Sequence, residues 1–353
     1  MDLAELVSRM PEIERALRSS FREAGRRDPA RFRPYVDLLE EFVLRGGKRF
    51  RALMVLAGYH IATRRDPRPA YPAAAAMEHF QGWMLIHDDI IDHSEVRRGG
   101  PTVHRELEAR HRAAGRLGDG ASEGVGLGIT LGDLEEPFTV EALLRCRLPP
   151  GRLLRALSEY VRMTRLTAYG QVLDIVNGNR PIGDLREADV LLVHELKSAI
   201  YTVAAPLRIG ATLGGAPEGL IDELGRFGID IGIAFQLRDD ILGTGLGTQA
   251  TGKSANDLSE GKRTLLAVKA WQEADETGRA ELSAALGNPQ ATPEMLRGAQ
   301  EVIRRSGSLA YSEARIARLS ERAYRRLRSS RRLSRAQRAL LEEIGERLVH
   351  RSI

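Results

Sequence analysis

The sequence is short of cysteine, of lysine and of long apolar runs. A single cysteine, Cys146, excludes an internal disulfide and fits a reducing compartment. There is no run of about 18 apolar residues, so no integral membrane span is expected. The first residues, Met1 to Leu17, carry charges throughout and lack an apolar signal core, so a cytoplasmic location is expected. Of 53 basic residues only five are lysine: Lys48, Lys197, Lys253, Lys262 and Lys269. Against an arginine background each lysine asks for a reason, and a compact ammonium acting as a point charge on phosphate is one. No GxxxxGKS or GxxxxGKT loop is present, which excludes a P-loop nucleotide site.

What is present reads as a soluble globular chain. Its 353 residues are 42% hydrophobic and 29% charged, enough to bury a large core, and a single domain over 1–353 is expected. The net charge of +5 is unevenly spread: twelve arginines and two glutamates lie from Arg304 to Arg338, an excess of 10, so the rest of the chain is about −5 (5 minus 10). This Arg-rich segment, within 304–353, reads as a solvated helix face. No aromatic stacking pattern accompanies it, and no nucleic-acid partner is expected.

Helical spacing dominates. Ile13, Leu17 and Phe21 form one stripe, and Leu153, Leu157, Tyr160 and Val161 another. Ile316, Leu319, Ala323 and Leu327 form a third, and Ser334 is placed to cap a last helix carrying Leu340, Leu341, Ile344 and Leu348. Segments 64–72, 115–128, 148–151 and 243–252 read as loops. Alternating strand patterns are scarce, so the fold class is all-α, a multi-helix bundle.

On a helix, at 100° per residue, Asp88 and Asp92 share a stripe with Gln81 and Met84, with Asp89 on its flank. Carboxylates at i and i+4 repel each other, and a divalent cation bridging them removes that cost. Oxygen-only ligands suggest Mg²⁺, held by one or two carboxylates plus substrate phosphates. A second acidic pair, Asp239 and Asp240, follows Phe235 and Leu237, with Gly243 where a third acid would stand. Two such pairs can face each other across a bundle interior and hold Mg²⁺ around a polyphosphate. Cations sit nearby in sequence: Lys48 with Arg51, then Arg97 with Arg98, then Lys197, Lys253 and Lys262. Separate cation sets suggest two phosphorylated substrates.

Seven segments then carry a resemblance: GGKRFR (46–51), DDIIDHSEVRRGGPTVH (88–104), GQVLDI (170–175), LKSAIYT (196–202), FQLRDD (235–240), TGK (251–253) and NDLSEGKRT (256–264). In type and order they resemble the trans-isoprenyl diphosphate synthases of the polyprenyl synthetase family. The resemblance implies an all-α bundle around a deep cavity, a homodimer, and three Mg²⁺ ions on the allylic diphosphate. It implies that Asp88 and Asp92 ligate metal with Asp89 assisting, and that Asp239 ligates with Asp240 assisting. Arg97, Lys197, Gln236, Lys253 and Lys262 would hold the allylic diphosphate, with Ser198 beside Lys197 where the family often has threonine. Lys48, Arg51, Gln81 and Arg98 would hold isopentenyl diphosphate, and Gln171 and Asp174 would line the cavity near the reacting carbons. The reaction implied is head-to-tail condensation on a dimethylallyl, geranyl or farnesyl primer. His87 and His93 are read as local hydrogen-bonding residues.

Trp83 and Met84, five and four residues before the first acidic motif, form the cavity floor in this family. Two bulky side chains there imply a short product, with twenty carbons favoured slightly over fifteen. Gly243 departs from the family's third acid and should weaken metal binding without abolishing it. Two other readings share some features. A class I terpene cyclase shares the first acidic motif, but 256–260 has its second motif's residue types at the wrong spacing. A non-catalytic partner subunit is favoured only by Gly243.

Overall fold

A computed structural model describes residues 1–246 and 256–350 of the chain. They form helices α1 (Leu3–Val7), α2 (Met10–Arg27), α3 (Arg33–Leu44), α4 (Phe50–Thr63), α5 (Tyr71–Ile91), α6 (Val103–Ala113), α7 (Gly120–Leu144) and α8 (Pro150–Gly178). Next come α9 (Glu187–Val193), a π-helix (His194–Ala204), α10 (Ala205–Gly214), α11 (Glu218–Gly243) and α12 (Asn256–Ser259). The chain ends on α13 (Leu265–Glu273), α14 (Glu276–Ala285), α15 (Pro293–Arg305), α16 (Ser308–Ser329) and α17 (Arg335–His350). The all-α expectation holds. The only strands among the described residues are β1 (Val96–Arg97) and β2 (Gly100–Pro101), an antiparallel hairpin. Its two central residues, Arg98 and Gly99, have φ of 52° and 77°, the left-handed pair that a two-residue type I′ turn requires.

Contacts divide the chain into two compact units, residues 1–158 with 206–217, and residues 159–205 with 218–353. The first unit is built on α5, which packs against α2, α3, α4 and α7. α5 starts with a proline in its first turn and buries all four alanines from Ala73 to Ala76, small enough for its neighbours to come close. Ile13, Leu17 and Phe21 of α2 are fully buried, as their spacing predicts.

The segment 115–128 is not a loop throughout. α7 starts at Gly120, capped by the Asp119 side chain, which accepts from the Ala121 amide at 3.0 Å. Its glycines serve packing. A Cβ at Gly124 would lie 2.5 Å from the His104 carbonyl oxygen, and one at Gly128 would lie 2.9 Å from Ile90 Cδ1. One at Gly132 would lie 2.4 Å from the His87 ring. Glycine at i, i+4 and i+8 thus lets α7 lie directly against α6 and α5 (about 0.5–1 kcal/mol of helix propensity is given up at each).

In the second unit α11 packs against the π-helix, α16 and α17. The α16 stripe (Ile316, Leu319, Ala323, Leu327) and the α17 stripe (Leu340, Leu341, Ile344, Leu348) are buried. Ser334 caps α17 reciprocally: its hydroxyl accepts from the Gln337 amide at 3.3 Å, and the Gln337 side chain accepts from the Ser334 amide at 2.8 Å. One stripe expectation fails. Tyr160 is buried but Val161 is 59% exposed, because the helix turns its apolar residues to two different faces. The Arg-rich segment is more than a solvated face. Arg322 and Arg326 both bind the buried Asp230 of α11, Arg315 meets Glu187, and Arg325 and Arg328 meet Glu321.

One helical run, Glu187–Gly214, is long and apolar enough to cross a membrane by length and composition. It bears Lys197 and Arg208, and 61% of its most apolar window is buried, as in a core helix.

Candidate active site

The last turn of α5 carries Asp88 and Asp89, and Asp92 closes it as the C-cap, its amide donating to the Asp88 carbonyl at 2.8 Å. Carboxylates at a helix C-terminus meet the negative end of the dipole, at a cost of about 0.3–1 kcal/mol each. Local structure therefore gives no reason for three acids there. Asp88 is half-buried and Asp92 exposed. Asp89 is wholly buried and receives Arg97 through Nε at 2.8 Å and also through Nη2. Burial raises the Asp89 carboxyl above its ordinary range, while the Arg97 guanidinium pulls it down. Arg97 is thus tied to Asp89, a partner that sequence spacing did not single out.

The hairpin after α5 folds back on the Gly46–Arg51 segment. Arg98 donates through Nη1 to the carbonyls of Arg45 at 3.2 Å and Gly46 at 3.1 Å. Its guanidinium lies where a Cβ at Gly47 would come within 3.1 Å, and Gly47 has φ of 110°. Burial, then the neighbouring Arg49 and Arg51, holds Arg98 below its ordinary pKa, with Glu78 opposing. Lys48, Arg51 and Arg98, read from sequence as one cation set, belong to this one loop and hairpin. Gln81 is buried on α5, one turn after Glu78.

Two residues behind this cluster are given no role by the sequence reading, although Arg49 lies inside GGKRFR (46–51). Arg49 adopts φ of 50° at the start of α4, and its buried side chain pairs with the buried Glu78 at 3.0 Å and donates to the Val43 carbonyl at 2.8 Å. The other Glu78 oxygen accepts from the Ala52 amide in the first turn of α4 at 3.3 Å. Arg45 completes the support, donating to the hairpin carbonyls of Arg97 at 3.2 Å and Pro101 at 2.7 Å. His87 bonds the Ile129 carbonyl of α7 at 3.1 Å. Trp83 packs edge-on against Phe80, ring centres 5.7 Å apart, and lies near His87; Met84 is half-buried.

The second unit holds the other acids. Asp239 is half-buried on α11. Asp240 is buried, accepts from Gln236 Nε2 at 2.9 Å and lies 3.1 Å from His194 Nε2, so Gln236 is turned to its own helix. Lys197 and Ser198 lie on the π-helix, an irregular winding common at functional sites. Lys197 Nζ donates to Asp174 Oδ2 on α8 at 2.6 Å, and Gln171 lies half-buried one turn before it. Gly170 makes this approach possible, since a Cβ there would lie 2.3 Å from the Lys197 amide nitrogen. Lys262 binds Asp257 and Glu260, each at 2.8 Å. Burial opposes its charge, but Asp257 and Glu260 hold the ammonium above the ordinary lysine range. Lys253 lies outside the described residues.

The donor chemistry suits a hard cation: the exposed and half-buried acids offer oxygen alone. Among the described residues no group of three His, Cys, Asp or Glu side chains forms a ready-made cage. Magnesium is commonly held by one or two carboxylates together with water and substrate phosphates, so pairs of acids fit it.

Three comparisons bear on this arrangement. A family model described as polyprenyl synthetase matches residues 33–303. Geranylgeranyl diphosphate synthase of Saccharolobus solfataricus is 32% identical over 287 residues, 80% of each chain. Geranylfarnesyl diphosphate synthase of Aeropyrum pernix is 34% identical over 291 residues, 79% of this chain and 82% of the relative. The crystal structure of geranylgeranyl pyrophosphate synthase from Corynebacterium glutamicum, complexed with isoprenyl diphosphate and magnesium, is 34% identical with a TM-score of 0.89. That match covers 98% of this chain and 99% of the other.

Proposed function

This chain belongs to the polyprenyl synthetase family, and on that premise we propose that it condenses isopentenyl diphosphate with an allylic diphosphate to a short-chain trans-prenyl diphosphate. It is a prenyltransferase. One observation carries the reading. Within one unit, α5 carries Asp88 and Asp92 to its C-terminal end, while Arg98 of the hairpin after α5 donates to the Arg45 and Gly46 carbonyls, at 3.2 and 3.1 Å, of the loop that holds Lys48 and leads into Arg51. A diphosphate is an anion of two or three charges that Lys48, Arg51 and Arg98, so placed, can bind.

Lys48, Arg51, Gln81 and Arg98 are assigned to isopentenyl diphosphate. Lys197, Gln236, Lys253 and Lys262 are assigned to the allylic diphosphate, with Ser198 beside them and Arg97 oriented by Asp89. Asp88, Asp92 and Asp239 are assigned to magnesium, of which three ions are expected, with Asp89 and Asp240 supporting them. Magnesium, when bound, supplies the Lewis acidity that offsets charge on the departing diphosphate. The chain's own residues bind both anions, hold the isopentenyl double bond against the allylic carbon, and keep water from the allylic cation. Asp174 orients Lys197, and Gln171 stands near the reacting carbons. The proton lost after bond formation passes to the released diphosphate.

Trp83 and Met84 are assigned to the cavity floor, and twenty carbons is the favoured product length. A homodimer is proposed as well: in the second unit α8 exposes Val161, Tyr169, Val172 and Val176 at helical spacing, an apolar face of the kind that marks an interface. The test is to incubate purified protein with Mg²⁺, labelled isopentenyl diphosphate and each allylic primer, and to size the products. Label in a C20 product supports the whole reading. Failure of label to enter any product would overturn it, and cyclised product without label would favour a cyclase.

A further inference from the structure

α2 presents a basic face that no part of the catalytic assignment uses. Residues 15–33 hold seven arginines and two acids, an excess of 5 (7 minus 2). At about 100° per residue Arg15, Arg18, Arg22 and Arg26 fall within about 80° of one another, turned away from the buried Ile13, Leu17 and Phe21. All four are exposed. Arg15, Arg22 and Arg26 line an open hollow of about 550 Å³ together with Arg27, Ser19 and Glu23. The face continues beyond the helix. Arg33, in the first turn of α3, lies over α2, where a Cβ at Gly25 would come within 2.2 Å of its Nη1. Arg110 of α6 donates to the Pro34 carbonyl at 3.2 Å, so the turn after α6 begins beside the start of α3. Two large apolar side chains stand out among these cations: Phe32, 48% exposed with the Arg31 guanidinium 5.8 Å over its ring, and Leu117, 97% exposed. Arg15 meets Glu12, Arg18 meets Glu40 at 3.4 Å and Arg27 meets Glu23 at 2.6 Å. Exposed pairs of this kind hold weakly and open to a denser array of anions.

We propose that this basic edge of the first unit docks on an anionic lipid bilayer, with its arginines at the level of the phosphates and Phe32 and Leu117 set into the headgroup layer. Charge complementarity selects the surface: an array of lipid phosphates answers arginines spread over α2 and the start of α3, where a single small anion would answer one or two of them. The apolar tips select lipid over nucleic acid, which offers no apolar layer to receive Leu117. Binding is peripheral and reversible, since two side chains and no spanning segment enter the layer. The inference goes beyond the prenyl-transfer reading and stands without it; where that reading holds, an apolar chain leaving the enzyme is released beside lipid.

The test sediments the full chain with sucrose-loaded vesicles, of phosphatidylcholine alone or of three parts phosphatidylcholine to one of phosphatidylglycerol, at low and high salt. The parent should bind the anionic vesicles only, and less as salt rises. Arg22→Gln with Arg26→Gln should weaken that binding about 30-fold. Phe32→Ser with Leu117→Ser should weaken it about 10-fold. Both variants should keep the parent's circular dichroism and its rate of prenyl transfer in vesicle-free buffer, since all four residues are exposed and outside the assigned site. Arg325→Gln with Arg328→Gln, exposed on α16 in the other basic segment, should bind vesicles as the parent does. No binding to anionic vesicles overturns the proposal. So does unchanged binding in either folded variant of the basic edge, or an equal loss in the α16 variant. Displacement from the vesicles by a DNA duplex that binds Phe32→Ser with Leu117→Ser as tightly as the parent would assign the face to nucleic acid and overturn it too.

Discussion

At the scale of single residues, the charges that hold the site's backbone are buried and those assigned to ligands are less so. Arg49 and Glu78 form a nearly inaccessible pair that fixes the left-handed start of α4 beside Lys48 and Arg51. Arg49→Met leaves Glu78 charged and unpaired in the interior and is expected to cost about 3–5 kcal/mol. Arg49→Met with Glu78→Met removes both charges and should recover most of that cost; denaturant midpoints of the three proteins check the asymmetry. Cys146 is buried, and burial pushes its thiol up to about 11. It should resist alkylation at pH 8 in the native protein and react on unfolding, read by mass spectrometry. Trp83→Ala should lengthen the prenyl product; unchanged chromatographic length would remove Trp83 from the cavity floor. Spacing revealed Asp88 and Asp92 because both lie on one helix, where i and i+4 are neighbours by geometry. It did not reveal Glu78, because its partner lies 29 residues away on another element.

At the scale of elements, α7 and α11 show two ways of fastening one helix to another. α7 uses absence of side chains. Gly124→Ala sets a Cβ 2.5 Å from a backbone oxygen and should destabilise by about 1–3 kcal/mol. Gly126→Ala, on the outward face with nothing within 4 Å, should stabilise by about 0.5–1 kcal/mol. Thermal melts of the two variants should therefore shift in opposite directions. α11 is fastened by charge: Asp230 takes Arg322 and Arg326, and Arg238 binds Glu313 through both nitrogens at 2.6 and 2.7 Å. Removing both Arg322 and Arg326 strands a buried carboxylate and should cost more than removing Asp230, since the two arginines are half-exposed and can turn to water. The sequence pattern made 115–128 a loop because glycine is rare inside helices. Which glycines face a neighbouring helix is a property of packing, invisible in one chain's composition.

At the scale of the whole molecule, α8 exposes an apolar face made by Val161, Tyr169, Val172 and Val176. Val172→Lys with Tyr169→Glu should shift the protein from dimer to monomer in sedimentation velocity, and an unshifted dimer would place its interface elsewhere. Much of the molecule was legible from the chain alone: an all-α class, the stripes of α2, α16 and α17, and the placing of the acids on α5 and α11. All of these depend on the 3.6-residue period or on residue type, which are local and survive without knowledge of any partner. Tertiary structure alone decided that Arg97 answers Asp89, that Arg49 answers Glu78, and that Gln236 turns to Asp240. Each of these joins groups whose separation along the chain says nothing about distance, because burial forces a charge to find whichever counter-charge the packed helices bring within reach.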